Sequence, residues 1–379
     1  MWWFLFDAYH LPESKIVLSD DANRFGLEWR NQVLQLGFCG RCLPDYLLCD
    51  TLARSADSLP ALTTLSVRGA CRLSDVGLNS LVSSAPALRS LDLTECSLLT
   101  SSSIYIIANS LGLNLRKLYL DHCLSIDVML ILPALEKLEQ LEVLSLVGIE
   151  TVCNEFIREF ISIRGHNMKE LILADCVKLT DSSLKIIAEK CPGLCTIDLG
   201  NLCKLTDSSL GYLANGCRGI QRLRLCRNPF SDNGIAAFLE TSGGCLEELS
   251  LNNLRKVGCH TASAIAKRSR MLRSLDISFC RNLTNNALGL IVDSCLSLRV
   301  LKVFGCTQDF AEEDIAEASL EVTILITNQL STIGDQISAP GLVLGGLCSP
   351  PTMLLMLSSF DCEATYCRRD GVVSWEERN

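Results

Sequence analysis

The chain has 379 residues, 48% of them apolar, 6% aromatic and 20% charged, with a formal net charge of −9. That acidic balance argues against a general nucleic-acid binder, because neutralising phosphates takes clustered Lys and Arg. Any link to DNA would run through a protein partner.

The opening stretch, MWWFLFDAYHLPESK, is apolar for six residues before Asp7 and carries no basic leader, so it is not read as a signal peptide. In GFCGRCLP, Cys39 and Cys42 have the C-x-x-C spacing of a zinc knuckle. A structural zinc takes four ligands. The second pair is missing and the nearest other donors are Cys49 and His10, so these two cysteines are an incomplete metal candidate. LPDYLL (43–48) and Leu52 predict a short helix. It either caps the exposed core of the first repeat, which begins at Leu62, or is the remnant of an adaptor-binding element.

From Leu62 to Val303 one phrase recurs ten times at intervals of 26 or 27 residues: L-x-x-L-x-L, then Cys or a small apolar residue three on, then L-[T/S]-[D/N]. The copies begin at Leu62, Leu88, Leu115, Leu141, Met168, Leu194, Ile220, Leu246, Leu272 and Leu298. Self-similarity at this period predicts a solenoid. Within Met168–Gly193, Leu171 and Leu173 alternate with other residues as a short strand does. Thr180 or Asp181 is positioned to supply an oxygen to the first amides of a helix. Leu184, Ile187, Ala188 and Cys191 come next at spacings of three and four, one face of that helix, which Pro192 and Gly193 end. Strands ~4.8 Å apart would span roughly 43 Å over ten repeats. Helices are wider than strands, so the array bends with its parallel sheet on the inside. The fold class expected is α/β, a horseshoe with strands on the concave face and helices on the convex face.

Eight of the 21 cysteines follow this register. Cys96, Cys123, Cys176, Cys280 and Cys306 stand three after the last strand apolar residue, and Cys191, Cys217 and Cys295 close helical halves. They read as buried, reduced thiols, which implies the cytoplasm or nucleus. The solenoid is assigned to 57–308, preceded by a cap region at 1–56. Residues 309–379 read as an irregular, poorly ordered tail, an alternative ending to the last repeat. Within it, 339–360 is uncharged but broken by Pro340, Pro350 and Pro351, so no membrane span is expected.

The phrases CVKLTDSSLKIIAEKCPGL (176–194), LCKLTDSSLGYLANGCRGI (202–220) and CRNLTNNALGLIVDSCLSL (280–298) resemble the cysteine-containing leucine-rich repeats of F-box proteins. SLPALTTLSVRGACRLSDVGL, MLILPALEKLEQLEVLSL and RGHNMKEL resemble, more finely, the leucine-rich-repeat subunit of global-genome nucleotide excision repair. That resemblance implies partnership with a Swi/Snf-type ATPase and, through an elongin-C-like adaptor and a cullin, a ubiquitin ligase. The chain departs from the pattern in several places. No full F-box precedes the repeats. Ile149, Leu202, Asn228 and Leu254 replace the register cysteine, and repeat eight reads VGCHTA (257–262) where T-D is expected. Repeat three has an atypical connecting half after Ile126 and Asp127.

No phosphate loop, G-x-S-x-G, H-E-x-x-H or kinase signature appears, and none of His10, His122, His166 and His260 has a Cys or Asp partner at a telling spacing. A catalytic role and a cofactor are not expected. Function is expected on the concave face. The outward strand positions and those just after them offer Asp92, Lys117, Tyr119, Asp198, Arg222, Arg224, Arg227, Asp276, Phe279, Lys302 and Phe304, with Glu170 and Glu248 beside them. Arg and aromatic residues anchor interfaces, yet the same charges read equally well as a solvated ladder. Two functions are compatible with these residues. One is a non-catalytic substrate receptor of a cullin-type ubiquitin ligase in protein degradation, with a role in DNA repair. The other is a stand-alone interaction scaffold or inhibitor that delivers no ubiquitin. The partners expected are a substrate protein, a ligase adaptor and the repair ATPase, with neither nucleic acid nor membrane bound directly.

Overall fold

The computed structural model describes residues 33–35, 45, 59, 61–306 and 323–325. One parallel sheet runs through them, its strands neighbouring one another in chain order. These are β1 Val33–Gln35, β2 Thr64–Ser66, β3 Ser90–Asp92, β4 Lys117–Tyr119, β5 Val143–Ser145, β6 Glu170–Ile172, β7 Thr196–Asp198, β8 Arg222–Arg224, β9 Glu248–Ser250, β10 Ser274–Asp276, β11 Val300–Lys302 and β12 Thr323–Leu325. Between β2 and β11 each crossover carries a helix: α1 Asp75–Ser84, α2 Ser101–Leu111, α3 Val128–Leu135, α4 Asn154–Arg164, α5 Asp181–Lys190, α6 Asp207–Gly216, α7 Asp232–Ser242, α8 Cys259–Arg268 and α9 Asn285–Ser294.

The register makes the core. Leu91 pairs across with Leu65 and Leu118, and Leu275 with Leu249 and Leu301, so the central apolar residue of every strand stacks on its equivalents. From β2 to β11 these residues are buried, and their strand neighbours are half-buried or exposed except on β5, where Val143 and Ser145 are buried as well. Behind them lie the helix faces Leu184 and Ile187 and their counterparts, in one continuous cluster. Full burial of one such side chain stabilises by about 1.5–3 kcal/mol. No single repeat has enough of them to stand alone.

The strands are short, and the hydrogen-bond ladder continues beyond them through a turn. Four residues after the central residue of each strand from β2 to β11 φ is positive: Gly69, Glu95, His122, Gly148, Asp175, Asn201, Arg227, Asn253, Phe279 and Gly305. The amide at this position bonds the next repeat, as Asp175 N does to Gly200 O at 2.9 Å and Arg227 N to Asn252 O at 3.0 Å. That bond holds the backbone in a left-handed conformation that only Gly, Asn or Asp adopts readily.

The register thiols are buried donors. Cys123 Sγ lies 3.1 Å from Leu93 O, Cys176 Sγ 3.2 Å from Leu146 O, and Cys280 Sγ 3.1 Å from Leu251 O. Burial pushes all three thiols up to about 12, which keeps the proton in place. Asn228 takes the same position in repeat seven. Its Nδ2 donates to Leu199 O at 2.8 Å while its Oδ1 accepts from Leu202 N at 2.7 Å.

The T-D step works differently from the expectation that either residue caps its own helix. Thr100 and Thr206 do cap theirs, but Thr180 makes no such bond. The acidic residue reaches across to the next repeat. Asp75 accepts from Thr100 N at 3.0 Å, Asp181 from Thr206 N at 2.8 Å and Asp207 from Ser231 N at 2.9 Å. Ser101 and Asn154 do the same for Asp127 N and Thr180 N. In repeat eight the missing T-D is covered by Asp232, which accepts from the amides of Gly258, His260 and Thr261. Repeat three keeps the spacing with a shorter helix, α3, that has Pro133 inside it.

The sheet extends one strand beyond 57–308 on each side. Leu34 pairs with Leu65, and Ile324 with Leu301. The first of these repeats is visible in sequence once the strand is placed, because Leu36 comes two after Leu34 and Cys39 stands three further on, as Cys96 does after Leu93. Asp45, in a helical turn, accepts from Ser74 N at 2.8 Å. It therefore sits on repeat one as Asp75 sits on repeat two. Cys39 and Cys42 themselves, His10, the 339–360 segment and the rest of the expected tail lie outside the described residues.

Candidate functional site

The side chains flanking each central strand residue form the open face of the sheet. On β7 to β11 they enclose a groove of about 540 Å³. Its charged walls are Asp175, Asp198, Arg222, Arg224, Arg227, Glu248, Asp276 and Lys302, with Asn201, Ser250, Asn252 and Ser274 between them. Strands only three residues long with small neighbours leave long side chains free to reach over the sheet.

Three arginines of repeat seven follow one another, two on β8 and one on the turn after it. Arg222 is fixed: its Nε donates to Thr196 Oγ1 at 2.9 Å and its Nη2 to Glu170 Oε1 at 3.0 Å, two strands away. Arg224 is looser, 3.7 Å from Asp198 and 60% exposed. Arg227, on the left-handed turn, is exposed and has no ion-pair partner among the described residues. Burial pushes the Asp198 carboxyl above its usual range, although the Gly200 amide and Arg224 pull the other way. At the far wall, neither Lys302 nor Glu248 nor Asp276 has an ion-pair partner among the described residues.

The groove gathers Asp198, Arg222, Arg224, Arg227, Asp276 and Lys302 of the candidates named from sequence. It adds Asp175, Asn201, Ser250, Asn252 and Ser274, which sequence reasoning passed over. Their signal was the repeat register itself, since each occupies an outward or turn position beside a chosen residue. Asp92 lies apart on β3 and serves its own turn, accepting from Ser66 Oγ and Thr94 N at 3.0 Å each. Lys117 is exposed on β4. Tyr119 lies towards the groove. Burial pushes its phenol up, with Glu170, Asp92 and Asp121 adding to the effect, so it remains a hydroxyl donor. Phe279, 44% exposed, lies over the next repeat, where a Cβ on Gly305 would come within 2.8 Å of its ring. Phe304 is half-buried at the end of the last full repeat.

Metal-ligating types converge once among the described residues, at Asp232, Cys259 and His260, whose ligand atoms lie within 4.8 Å of one another. The carboxylate there already accepts three amides and the His260 Nδ1 at 3.0 Å. It also faces the positive end of α8, an environment that repels a cation. This geometry is that of a helix cap. His122 lies against Gly148 on a left-handed turn, and His166 is in the 3₁₀ turn after α4.

No family model matches the chain. Over 149 residues it is 27% identical to bovine F-box/LRR-repeat protein 4, covering 39% of this chain and 24% of that protein. Over 155 residues it is 36% identical to the antagonist of mitotic exit network protein 1 of Yarrowia lipolytica, covering 38% of this chain and 21% of that one. The chain thus matches less than a quarter of the length of either relative. A chain from the crystal structure of the yeast Rad7 and Elc1 complex superposes with a TM-score of 0.58 at 18% identity, over 79% of this chain and 84% of its own. The fold is a leucine-rich-repeat solenoid. The sheet lining, the ten-fold turn and the cysteine register are the features through which this chain builds it. No helix among the described residues is long and apolar enough to cross a membrane.

Proposed function

We propose that the chain is the non-catalytic substrate receptor of a cullin-type ubiquitin ligase, holding its target on the concave face. The observation that carries the reading is the groove on β7 to β11, where exposed Arg224 and Arg227 and half-buried Lys302 stand beside Glu248 and Asp276, which have no ion-pair partner among the described residues. Charged side chains displayed this way select a partner by complementarity and contribute little to the fold. The likeness to an F-box/LRR-repeat protein and to a chain of the Rad7 and Elc1 complex supports the ligase context. By the same reasoning an adaptor resembling Elc1 joins through the N-terminal region, a Swi/Snf-type repair ATPase is a further partner, and the site of action is the nucleus or cytoplasm, in DNA damage repair.

Affinity purification of the full chain with mass spectrometry tests this, run beside an Arg224→Glu/Lys302→Glu variant. Recovery of a cullin and its adaptor with both chains, and of a target with the parent chain alone, is the expected result. Targets without any cullin or adaptor would favour the stand-alone scaffold.

A further inference from the structure

The groove charges lie in rows across the strands, and the rows have a length. Arg224 stands on β8, Glu248 on β9, Asp276 on β10 and Lys302 on β11. In register, Arg224, Ser250, Asp276 and Lys302 form one row across the strands, about 14 Å from end to end at ~4.8 Å per strand, with Asp276 about 10 Å along it. Glu248 stands two residues back along β9, ~6.6–6.8 Å to one side, in the row of Arg222 and Ser274. A peptide in extended conformation places every second side chain on one face, ~6.6–6.8 Å apart. Three such side chains span about 13–14 Å, and the middle one falls between Ser250 and Asp276.

We propose that the groove takes an extended polypeptide segment of the pattern acidic-x-basic-x-acidic, lying across the strands from β8 to β11. The outer carboxylates meet Arg224 and Lys302, and the central Lys or Arg meets Asp276, with Glu248 flanking the segment on one side. The walls suit this occupant because their own pairing is incomplete. Arg224 is 60% exposed at 3.7 Å from Asp198. Glu248, Asp276 and Lys302 have no ion-pair partners among the described residues. Arg222 belongs to the frame, because Glu170 and Thr196 already hold it. The mixed wall also disfavours a uniform polyanion, which would bring like charge against Glu248 and Asp276. The pattern is symmetric, so the segment can run in either direction.

The inference rests on the concave-face reading above, but its test does not involve the ligase. Labelled peptides E-x-K-x-E, K-x-E-x-K and E-x-E-x-E, with Ala and Ser at the other positions, are titrated against the full chain by fluorescence polarisation at low and 0.5 M salt. E-x-K-x-E is expected to bind at least tenfold tighter than either other peptide and to weaken in high salt. Glu248→Lys/Asp276→Lys is expected to lose E-x-K-x-E tenfold and to gain E-x-E-x-E. Equal binding of all three peptides, no binding of E-x-K-x-E, or preference of the parent chain for E-x-E-x-E would overturn the proposal. A cullin and adaptor co-purifying in the face of such a failure would leave the receptor role standing with a different target chemistry. Peptide binding without them would leave the groove and remove the ligase.

Discussion

Asn228 shows that the register position can place a small donor against the previous strand, a bond that repeats with Ile149, Leu202 or Leu254 there do without. Cysteine does this with a thiol, and Asn228 does it with an amide that also satisfies Leu202 N. Asn228→Leu is therefore expected to cost about 2–4 kcal/mol, because it strands a buried carbonyl and a buried amide together. Asn228→Cys restores the register residue and is expected to cost less. Urea denaturation of the two variants ranks them, and equal stability would contradict the role given to the bond. Asp198 makes a different residue-scale prediction. Its carboxyl is raised in the fold above the ordinary 3.8, so its contribution is present below that pH and is lost as pH rises through the folded value. Relative to the parent chain, Asp198→Asn should gain stability as pH rises above the ordinary 3.8, read as a difference in thermal midpoint. Asp181 and Asp232 have the opposite sign. Burial raises them, but hydrogen bonds from Ser209 and Thr206, and from Thr261, Gly258 and His260, outweigh it and hold both low. What they contribute is present above the unfolded carboxylate range and is lost as pH falls through their lowered values. Arg227 adds a test that separates function from fold. Glycine suits its left-handed backbone, so Arg227→Gly is expected to leave stability within about 0.5 kcal/mol while removing an exposed groove cation.

At the scale of the element, α6 carries two glycines with opposite consequences. A Cβ at Gly216 would lie 2.1 Å from Ala188 O, on the backbone of the preceding helix, whereas a Cβ at Gly211 meets nothing within 4 Å. Gly216→Ala should destabilise by about 1–3 kcal/mol through overpacking. Gly211→Ala should stabilise by roughly 0.4–1 kcal/mol through helix propensity and a less free unfolded chain. Chemical denaturation of the two single variants distinguishes them at once, and a common sign would contradict the packing described for α5 and α6. The inter-repeat caps make a similar prediction. Asp207→Ala removes the acceptor for Ser231 N and should cost about 1 kcal/mol, and Asp207→Asn less, since Asn154 already does this work for Thr180. The periodic apolar residues made the strands and helices legible in the sequence, because each period of two or near four leaves a row to bury. The direction of the T-D step was not legible, since Asp181 and Thr180 are equally placed to cap α5 and only the stacked repeat shows which helix each one serves. Likewise Arg227 and Phe279 gave no sign of a left-handed turn, which the next repeat's carbonyl imposes and residue type does not announce.

For the whole molecule, the period decided the architecture and also hid its edges. Leu34 and Leu65 are 31 residues apart, and Ile324 lies 23 beyond Leu301, so a search at 26 or 27 misses both outer strands although each pairs in register. The groove was half legible: outward positions can be read from alternation, but which of them converge depends on how Arg222 is pulled back by Glu170 and how Arg224 stays free. In the receptor reading, this face holds proteins so that ubiquitin can be attached to them. The most direct measurement is the quantity of ubiquitin remnants on proteins that bind the parent chain but not the Arg224→Glu/Lys302→Glu variant, compared in cells with and without the chain. The receptor reading expects remnant levels on those proteins to fall when the chain is removed and to return with the parent chain but not with the variant. Unchanged remnants on proteins that the groove demonstrably binds would contradict it.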